Sequence, residues 1–241
     1  MKVTRPDGRT MDQLREISFE GNIQPQAAGS VLIRWGNTHV ICAASVEDRV
    51  PPHRYDSGGG WLTAEYAMLP ASGDSRIRRD RNGVGGRTAE IQRLIGRSLR
   101  AVFDLDTLGA RTIRIDCDVL NADGGTRCAS VTGAYIAACQ ALKMISKIDN
   151  KQFIRPPSVV GVSVGVVDGT VRTDLCYLED SGADVDLNFI ASPAGMIEIQ
   201  GTAERQPFTH HQLNEMLQHA NEAATRLIAA QEQALAALDC L

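Results

Sequence analysis

The stretch NADGGTRCASVTGAYIAACQALK, residues 121–143, connects a strand-like segment to a helix predicted over about 129–143. The glycines at 124–125 let backbone amides approach a ligand closely, and a helix start offers unpaired N–H groups with partial positive charge. Such a junction favours an anion. Thr126 adds a hydroxyl and Arg127 a full charge, which suits phosphate. Taken alone, a plain glycine turn with an exposed arginine is an equally good interpretation.

A second junction of the same kind precedes another predicted helix. GVGGRTAEI, residues 83–91, places two glycines and Arg87 before a segment with apolar residues at helical spacing, and Thr88 is the candidate N-cap. Arg93 and Arg97 lie on a different face of this helix from the apolar residues. Two glycine-arginine helix starts can converge on one oxyanion. Neither matches the usual nucleotide-binding loops.

An acidic cluster follows in LEDSGADVDLN, which contains Glu179, Asp180, Asp184 and Asp186. If the second half of this segment is a strand, Asp184, Asp186 and Asn188 share one face of it. Crowded carboxylates repel one another unless a cation lies among them, so the cluster predicts a Mg²⁺ or Mn²⁺ site. The alternative is an acidic surface turn.

Positive charge is concentrated in one part of an acidic chain. The net charge is −4, but residues 76–100 contain eight arginines and two acids, which leaves +6 there and −10 elsewhere. The planar guanidinium of arginine binds phosphate through two hydrogen bonds, so this window predicts a phosphate-binding surface. The alternative is a solvated arginine-rich loop.

The remaining pattern predicts one continuous α+β domain over residues 1–241. Hairpin turns are predicted at Gly36-Asn37, at Asp168-Gly169 and at Pro193-Ala194-Gly195, and a helix is predicted to begin at Thr209 with a capping box. The six cysteines lack C-x-x-C spacing, which predicts buried thiols rather than disulfides or zinc ligands. No membrane-spanning or secretory segment is predicted, so a cytoplasmic location is expected.

One apparent hydrolase motif does not fit its context. Gly161-Val-Ser163-Val-Gly165 matches G-x-S-x-G, but a nucleophile elbow requires a turn from a strand into a helix. Ser163 instead lies within a continuous β-like run that leads into a hairpin. An esterase is therefore disfavoured.

Taken together, the motifs resemble the ribonuclease PH family, the bacterial phosphate-dependent tRNA nucleotidyltransferases. The resemblance covers essentially the whole chain and is specific, because several long motifs occur in the right order. They are RPDGRTMDQLR, GNTHVICAASVEDRVPP, GWLTAEYAMLP, GRTAEIQRLIGRSLRAVFDL, IDCDVLNADGGTRCASVTGAY, DLCYLEDSGADVDLNFI and EIQGTAE. The resemblance implies a two-layer β-α-β domain of α+β class with a left-handed βαβ crossover. It also implies a homohexameric ring built as a trimer of dimers.

The resemblance also implies a role for particular residues. Inorganic phosphate as co-substrate would be bound by Arg87, Gly125, Thr126 and Arg127, and Asp180 and Asp186 would be the catalytic acids and the Mg²⁺ ligands. The implied reaction is reversible phosphorolysis of the 3′ ends of tRNA precursors and ribosomal RNA, releasing nucleoside diphosphates. The predicted RNA-backbone contacts are Arg76, Arg78, Arg79, Arg81, Arg93 and Arg97.

Three other functions share parts of this pattern. A non-catalytic exosome-type subunit would keep the fold without the phosphate or acid residues, and a hydrolytic two-metal nuclease would use water and release monophosphates. Polynucleotide phosphorylase shares the chemistry but needs a second core. Aromatic residues make up only 5% of the chain, which disfavours a platform that stacks several bases.

Overall fold

The computed structural model describes residues 5–79 and 83–240. The strands are β1 (Ile17–Gly21), β2 (Gly29–Trp35), β3 (Thr38–Glu47), β4 (Trp61–Met68), β5 (Thr112–Asn121), β6 (Val160–Val167), β7 (Thr170–Thr173), β8 (Val185–Ser192) and β9 (Gly195–Ala203). The α-helices are α1 (Gly86–Arg100), α2 (Thr126–Ile148), α3 (Tyr177–Asp180) and α4 (His210–Ala237). Short 3-10 helices span Pro52–Ser57 and Leu105–Leu108.

The strands form two sheets, which confirms the α+β class. The first has the order β1-β2-β3-β5-β4 and is antiparallel except for the parallel pair β4 and β5, which α1 connects. The second has the order β7-β6-β8-β9 and is antiparallel throughout. The handedness of the β4-α1-β5 crossover stays a prediction.

The hairpins turn where the sequence places them. Gly36 has a φ of 55° between β2 and β3, and Asp168 and Gly169 have φ values of 52° and 72° between β6 and β7. Glycine and aspartate tolerate this left-handed backbone region better than most residues. The turn before Gly195 and the capping box of Thr209 with Gln212 at the start of α4 are also confirmed.

Helix α2 lies between the two sheets and is buried on nearly every side. At Gly133 a Cβ would lie 2.9 Å from Cys42 Sγ in β3, and at Gly161 in β6 a Cβ would lie 3.0 Å from the Cα of Cys128 in α2. By length and composition this helix passes the criterion for crossing a membrane, but 89% of the qualifying window is buried inside the protein. It is therefore a core helix, and both sheets share one hydrophobic cluster around it.

Two predicted helix starts need correction. Helix α2 begins at Thr126 and ends at Ile148, so it is longer than predicted and its first turn includes Arg127. Thr88 is not the N-cap of α1, because that helix already begins at Gly86 and Gly85 occupies the cap position. Both helices begin earlier than predicted because a glycine before the first helical residue can start a helix without a side-chain cap.

The cysteines behave as small core residues. All six are free and buried, as predicted from their spacing. The single domain over residues 1–241 stays a prediction.

Candidate active site

A cleft of about 810 Å³ brings the predicted site residues together. Helix α1 contributes Arg87, and the start of α2 contributes the loop and first turn that contain Gly125 and Arg127. Helix α3 and strand β8 contribute Asp180 and Asp186. Residues more than 90 positions apart in the sequence thus line one cleft. Its predicted phosphate and acid residues are Arg87, Gly125, Thr126, Arg127, Asp180 and Asp186.

The loop before α2 has a backbone that requires glycine. Gly124 and Gly125 have φ values of 75° and 67°, in the left-handed region. A Cβ at Gly124 would also lie 2.4 Å from the carbonyl oxygen of Leu175, so a side chain there displaces the loop. The hydroxyl of Thr38 donates a 2.7 Å hydrogen bond to the Gly124 carbonyl. The loop is therefore held in one conformation that leaves its backbone close to the cleft.

A buried ion pair anchors the same loop from behind. Arg15 binds Asp174 at 2.6 Å and also donates hydrogen bonds to the carbonyl oxygens of Asp123 and Gly124. Trp35 Nε1 donates to Asp174 at 2.9 Å. Burial opposes the charge of Arg15, but the charge and hydrogen bonds of Asp174 and the charge of Asp123 act together in the other direction, and the pKa of Arg15 is raised. No local sequence pattern predicts this anchor, because its members come from distant segments.

Thr126 is a buried member of the site. Its side-chain oxygen lies 2.9 Å from the phenolic oxygen of Tyr66 in β4, and Thr126 is 7% exposed. Burial raises the pKa of Tyr66, while the charges of Arg87 and Arg127 act in the opposite direction. Tyr66 thus lies within the electrostatic field of both arginines. No sequence motif pointed to it.

Asp123 connects this loop to the acidic side of the cleft. Its carboxylate accepts a 3.1 Å hydrogen bond from the backbone N–H of Tyr177, the first residue of α3. It also accepts one from Asn37 at 3.1 Å. Because α3 ends at Asp180, this contact fixes the distance between the glycine loop and the first carboxylate.

The two carboxylates of the cleft are close enough to affect each other. Burial, and next the charge of Asp180, raises the pKa of Asp186 to about 6, while Arg127 acts against the increase. Burial also raises the pKa of Asp180, against the charges of Arg87 and Arg127. Asn188 donates a 3.3 Å hydrogen bond to Asp186. A cation beside both groups would relieve their desolvation and repulsion.

The donor set of this pair suits Mg²⁺, which proteins often bind with one or two carboxylates while substrate phosphates and waters complete its octahedron. Within residues 5–79 and 83–240, no group of three or more His, Cys, Asp or Glu side chains forms a complete metal cage. Asp180 and Asp186 therefore fit a metal shared with substrate rather than a cage of protein ligands alone.

Comparisons with known proteins agree with this geometry. Residues 13–144 match the first domain of the 3′ exoribonuclease family, and residues 158–223 match its second domain. The chain belongs to the 3′ exoribonuclease family.

Within this family the chain is similar to proteins named ribonuclease PH. It is 53% identical over 238 residues to that of Corynebacterium glutamicum, which covers 96% of each chain. It is 51% identical over 241 residues to that of a Synechococcus species, which covers 98% of each chain. The resemblance predicted from the motifs is confirmed.

Solved structures of low sequence identity share the fold. A chain of the Archaeoglobus fulgidus exosome with RNA bound to the active site has a TM-score of 0.79 at 20% identity, over 93% of this chain and 91% of that one. Rice Rrp46 has a TM-score of 0.76 at 18% identity, over 96% of this chain and 100% of that one. The likeness shows that all three share one fold.

Not every acid of the predicted cluster lines the cleft of this exoribonuclease-family chain. Glu179 is buried and binds Arg5 at 2.7 Å and Arg172 at 3.1 Å. Burial opposes its ionisation, but the hydrogen bond and charge of Arg5, with hydrogen bonds from the Cys176 backbone and Arg172, together lower the pKa of Glu179 to about 2. Asp184 lies 3.8 Å from Arg205. The sequence cluster therefore divides into Asp180 and Asp186 in the cleft and two acids in ion pairs.

Ser163 also lines the cleft but has a structural role. Its hydroxyl accepts a 3.2 Å hydrogen bond from the backbone N–H of Leu175, and it lies inside β6, where it pairs with Asn188 of β8. The strand-to-helix turn of a hydrolase elbow is absent at this position, which confirms the rejection of that motif.

The predicted RNA contacts occupy two different environments. Arg76, Arg78 and Arg79, called the arginine loop here, are exposed beside the cleft, where neighbouring Ile77 is a lining residue. Arg81 lies outside the described residues. Arg93 is exposed on α1, whereas Arg97 binds Glu198 of β9 through two hydrogen bonds of 2.5 and 3.1 Å. Their contact with RNA stays a prediction.

Proposed function

We propose that this protein is a phosphorolytic 3′-to-5′ exoribonuclease that trims the 3′ ends of tRNA precursors. The observation that carries the proposal is the meeting of two arginine-bearing helix starts and two carboxylates of raised pKa in one cleft. Anion-binding groups beside crowded carboxylates suit a reaction between an inorganic anion and a metal-associated phosphodiester. Membership in an exoribonuclease family supports this choice.

Inorganic phosphate would bind at the start of α2. The N–H groups of this first turn, the hydroxyl of Thr126 and the guanidinium groups of Arg87 and Arg127 supply donors for its oxygens. A phosphate oxygen then attacks the phosphorus of the last phosphodiester, and the bond to the 3′ oxygen of the preceding nucleotide breaks. The terminal nucleotide leaves as a nucleoside 5′-diphosphate.

The carboxylates would serve the leaving side of the reaction. The departing 3′ oxygen needs a proton, and burial raises the pKa values of Asp180 and Asp186 above that of an ordinary aspartate, which favours the protonated form that a proton donor requires. Mg²⁺ held by the same pair would stabilise the charge that develops on the phosphoryl oxygens. Both carboxylates stay candidates for both roles. Because a phosphodiester is exchanged for a linkage of similar type, the reaction would also run backwards and extend RNA.

The arginine loop would guide the RNA backbone into the cleft without recognising sequence. Ribosomal RNA 3′ ends are a second proposed substrate. We also propose a homohexameric ring, supported by the structural likeness to chains of exosome assemblies. The cytoplasm is the proposed location, supported by six free, buried cysteines.

A product assay tests the proposal. Purified protein, Mg²⁺ and a tRNA with a few extra 3′ nucleotides are incubated with and without inorganic phosphate, and the released nucleotides are separated by chromatography. Nucleoside diphosphates that appear only with phosphate support phosphorolysis. Monophosphates without phosphate would identify a hydrolase, and no release would favour an RNA-binding subunit.

A further inference from the structure

A chain of polar contacts runs from the outer face of α1 to the phosphate-site arginine. Arg97 donates two hydrogen bonds to the carboxylate of Glu198, at 3.1 Å from Nε and 2.5 Å from Nη2. Gln200 Nε2 donates to the same carboxylate at 3.0 Å. The Gln200 carbonyl oxygen, Oε1, accepts from Arg127 Nη1 at 3.3 Å. Glu198 and Gln200 point to the same side of β9, because they lie two positions apart.

The order of these contacts fixes the orientation of the Gln200 amide. A carboxylate accepts hydrogen bonds only, so Glu198 requires the NH₂ group of Gln200. The amide oxygen must then face Arg127, which only donates. A flipped amide would place oxygen against carboxylate and NH₂ against guanidinium. Arg97 in turn holds the Glu198 carboxylate through two hydrogen bonds, and such bidentate arginine–carboxylate pairs constrain the orientation of both groups.

A second acceptor approaches the same nitrogen of Arg127. Glu90 Oε1 lies 3.7 Å from Arg127 Nη1 and is buried, with no hydrogen-bond partner among the residues that the structure describes. Arg127 is itself largely buried, with 19% of its side chain exposed. Its Nε and Nη2 make no side-chain hydrogen bond to any described residue. The guanidinium is thus held at one corner, and its other donors stay available to a ligand.

We infer that Gln200, oriented by Glu198 and Arg97, is the positioning residue that aims Arg127 at the inorganic phosphate. The inference rests on the proposed function. It assigns Arg97 to the support of the phosphate site, in place of the RNA contact expected from its position in the arginine-rich window. The support acts through Arg127 and touches neither substrate.

Steady-state kinetics with phosphate varied at saturating RNA test the inference. Gln200→Met removes the acceptor and keeps side-chain length, and it is expected to raise the KM for phosphate about tenfold with a smaller change in kcat. A hydrogen bond to a charged group has about this effect. Glu198→Gln frees the amide to flip and is expected to raise the same KM about three- to tenfold.

Arg97→Met separates the two possible roles of that arginine. The inference predicts a higher KM for phosphate and an unchanged slope of log RNA affinity against log salt. Arg97→Lys keeps a cation beside Glu198 and is expected to restore part of the loss. In a Gln200→Met background, Arg97→Met is expected to add little, because Arg97 acts on Arg127 only through Glu198 and Gln200. Arg34→Met is the matched control, since it breaks an exposed pair with Glu20 outside the cleft.

Three results would overturn the inference. One is an unchanged KM for phosphate in both Gln200→Met and Glu198→Gln when their melting temperatures match that of the control. Another is a flatter salt slope for Arg97→Met with unchanged KM for phosphate, which would make Arg97 an RNA contact. The third is a wild-type enzyme that shows no phosphate dependence, and this result alone refutes the proposed function as well.

Discussion

Asp186→Asn should stabilise the metal-free protein at pH 8. Burial and the charge of Asp180 raise the pKa of Asp186 from the ordinary value of 3.8 to about 6, so the ionised carboxylate is less favourable in the folded state than in the unfolded one. Each tenfold change in an ionisation constant corresponds to about 1.4 kcal/mol, and this difference therefore corresponds to about 3 kcal/mol. For a chain of this length, the melting temperature should rise by about 6 °C or more.

The pH dependence gives the sign of the effect. The unfavourable ionised form exists in the folded protein only above a pH of about 6, so the stabilisation by Asp186→Asn is full at pH 8. As the pH falls from 6 toward 4, folded wild-type protein takes up the proton and the advantage of the variant disappears. Thermal melts of wild type and Asp186→Asn in EDTA, at equal protein concentration, measure the stabilisation at pH 8 and at pH 5.

Asp184→Asn is the matched control. Asp184 precedes the same strand, is partly exposed and lies 3.8 Å from Arg205, so its replacement should change stability by less than about 1 kcal/mol. Adding Mg²⁺ should then raise the melting temperature of wild type more than that of Asp186→Asn, because the variant lacks one anionic ligand. Equal or lower stability of Asp186→Asn at pH 8 would refute the electrostatic reasoning.

Three further predictions concern the phosphate site and the RNA path. Arg127→Ala should abolish phosphorolysis while the melting temperature changes little, and unchanged turnover at saturating phosphate would refute the pocket assignment. Replacing the arginine loop with alanines should weaken tRNA binding and lower the salt slope by about one per lost phosphate contact, so an unaltered slope in a binding titration would remove it from the interface. Gly124→Ala should destabilise the fold and raise the KM for phosphate, because the added Cβ would clash with the carbonyl oxygen of Leu175. Gly86→Ala is the control, since a Cβ there has no neighbouring atom within 4 Å and should be tolerated in the same assays.

Local sequence signals predicted much of the fold. The turn at Asp168-Gly169 and the capping box at Thr209 each depend on residues within a few positions of one another. The glycine-rich junctions before α1 and α2 were located for the same reason, although both helices begin earlier than predicted. Their convergence on one cleft could only be a hypothesis, because periodicity carries no information on distance between separate elements.

The parts that sequence analysis missed are contacts between distant segments. Arg15 and Asp174 are 159 positions apart, and Tyr66 and Thr126 are 60 apart. Glu179 looked equivalent to Asp180 in the sequence, but the backbone of α3 turns them toward different surroundings. Adjacent residues on a short helix diverge by about 100°, so a cluster in sequence need not be a cluster in space.

The most direct test of phosphorolysis follows the attacking inorganic phosphate into the product. Radiolabelled inorganic phosphate is supplied with unlabelled tRNA bearing extra 3′ nucleotides, and the released nucleotides are isolated. The account predicts nucleoside diphosphates that carry the label in their β-phosphate, with the label lost in Arg127→Ala. Unlabelled nucleoside monophosphates would contradict it, because water rather than phosphate would then be the nucleophile.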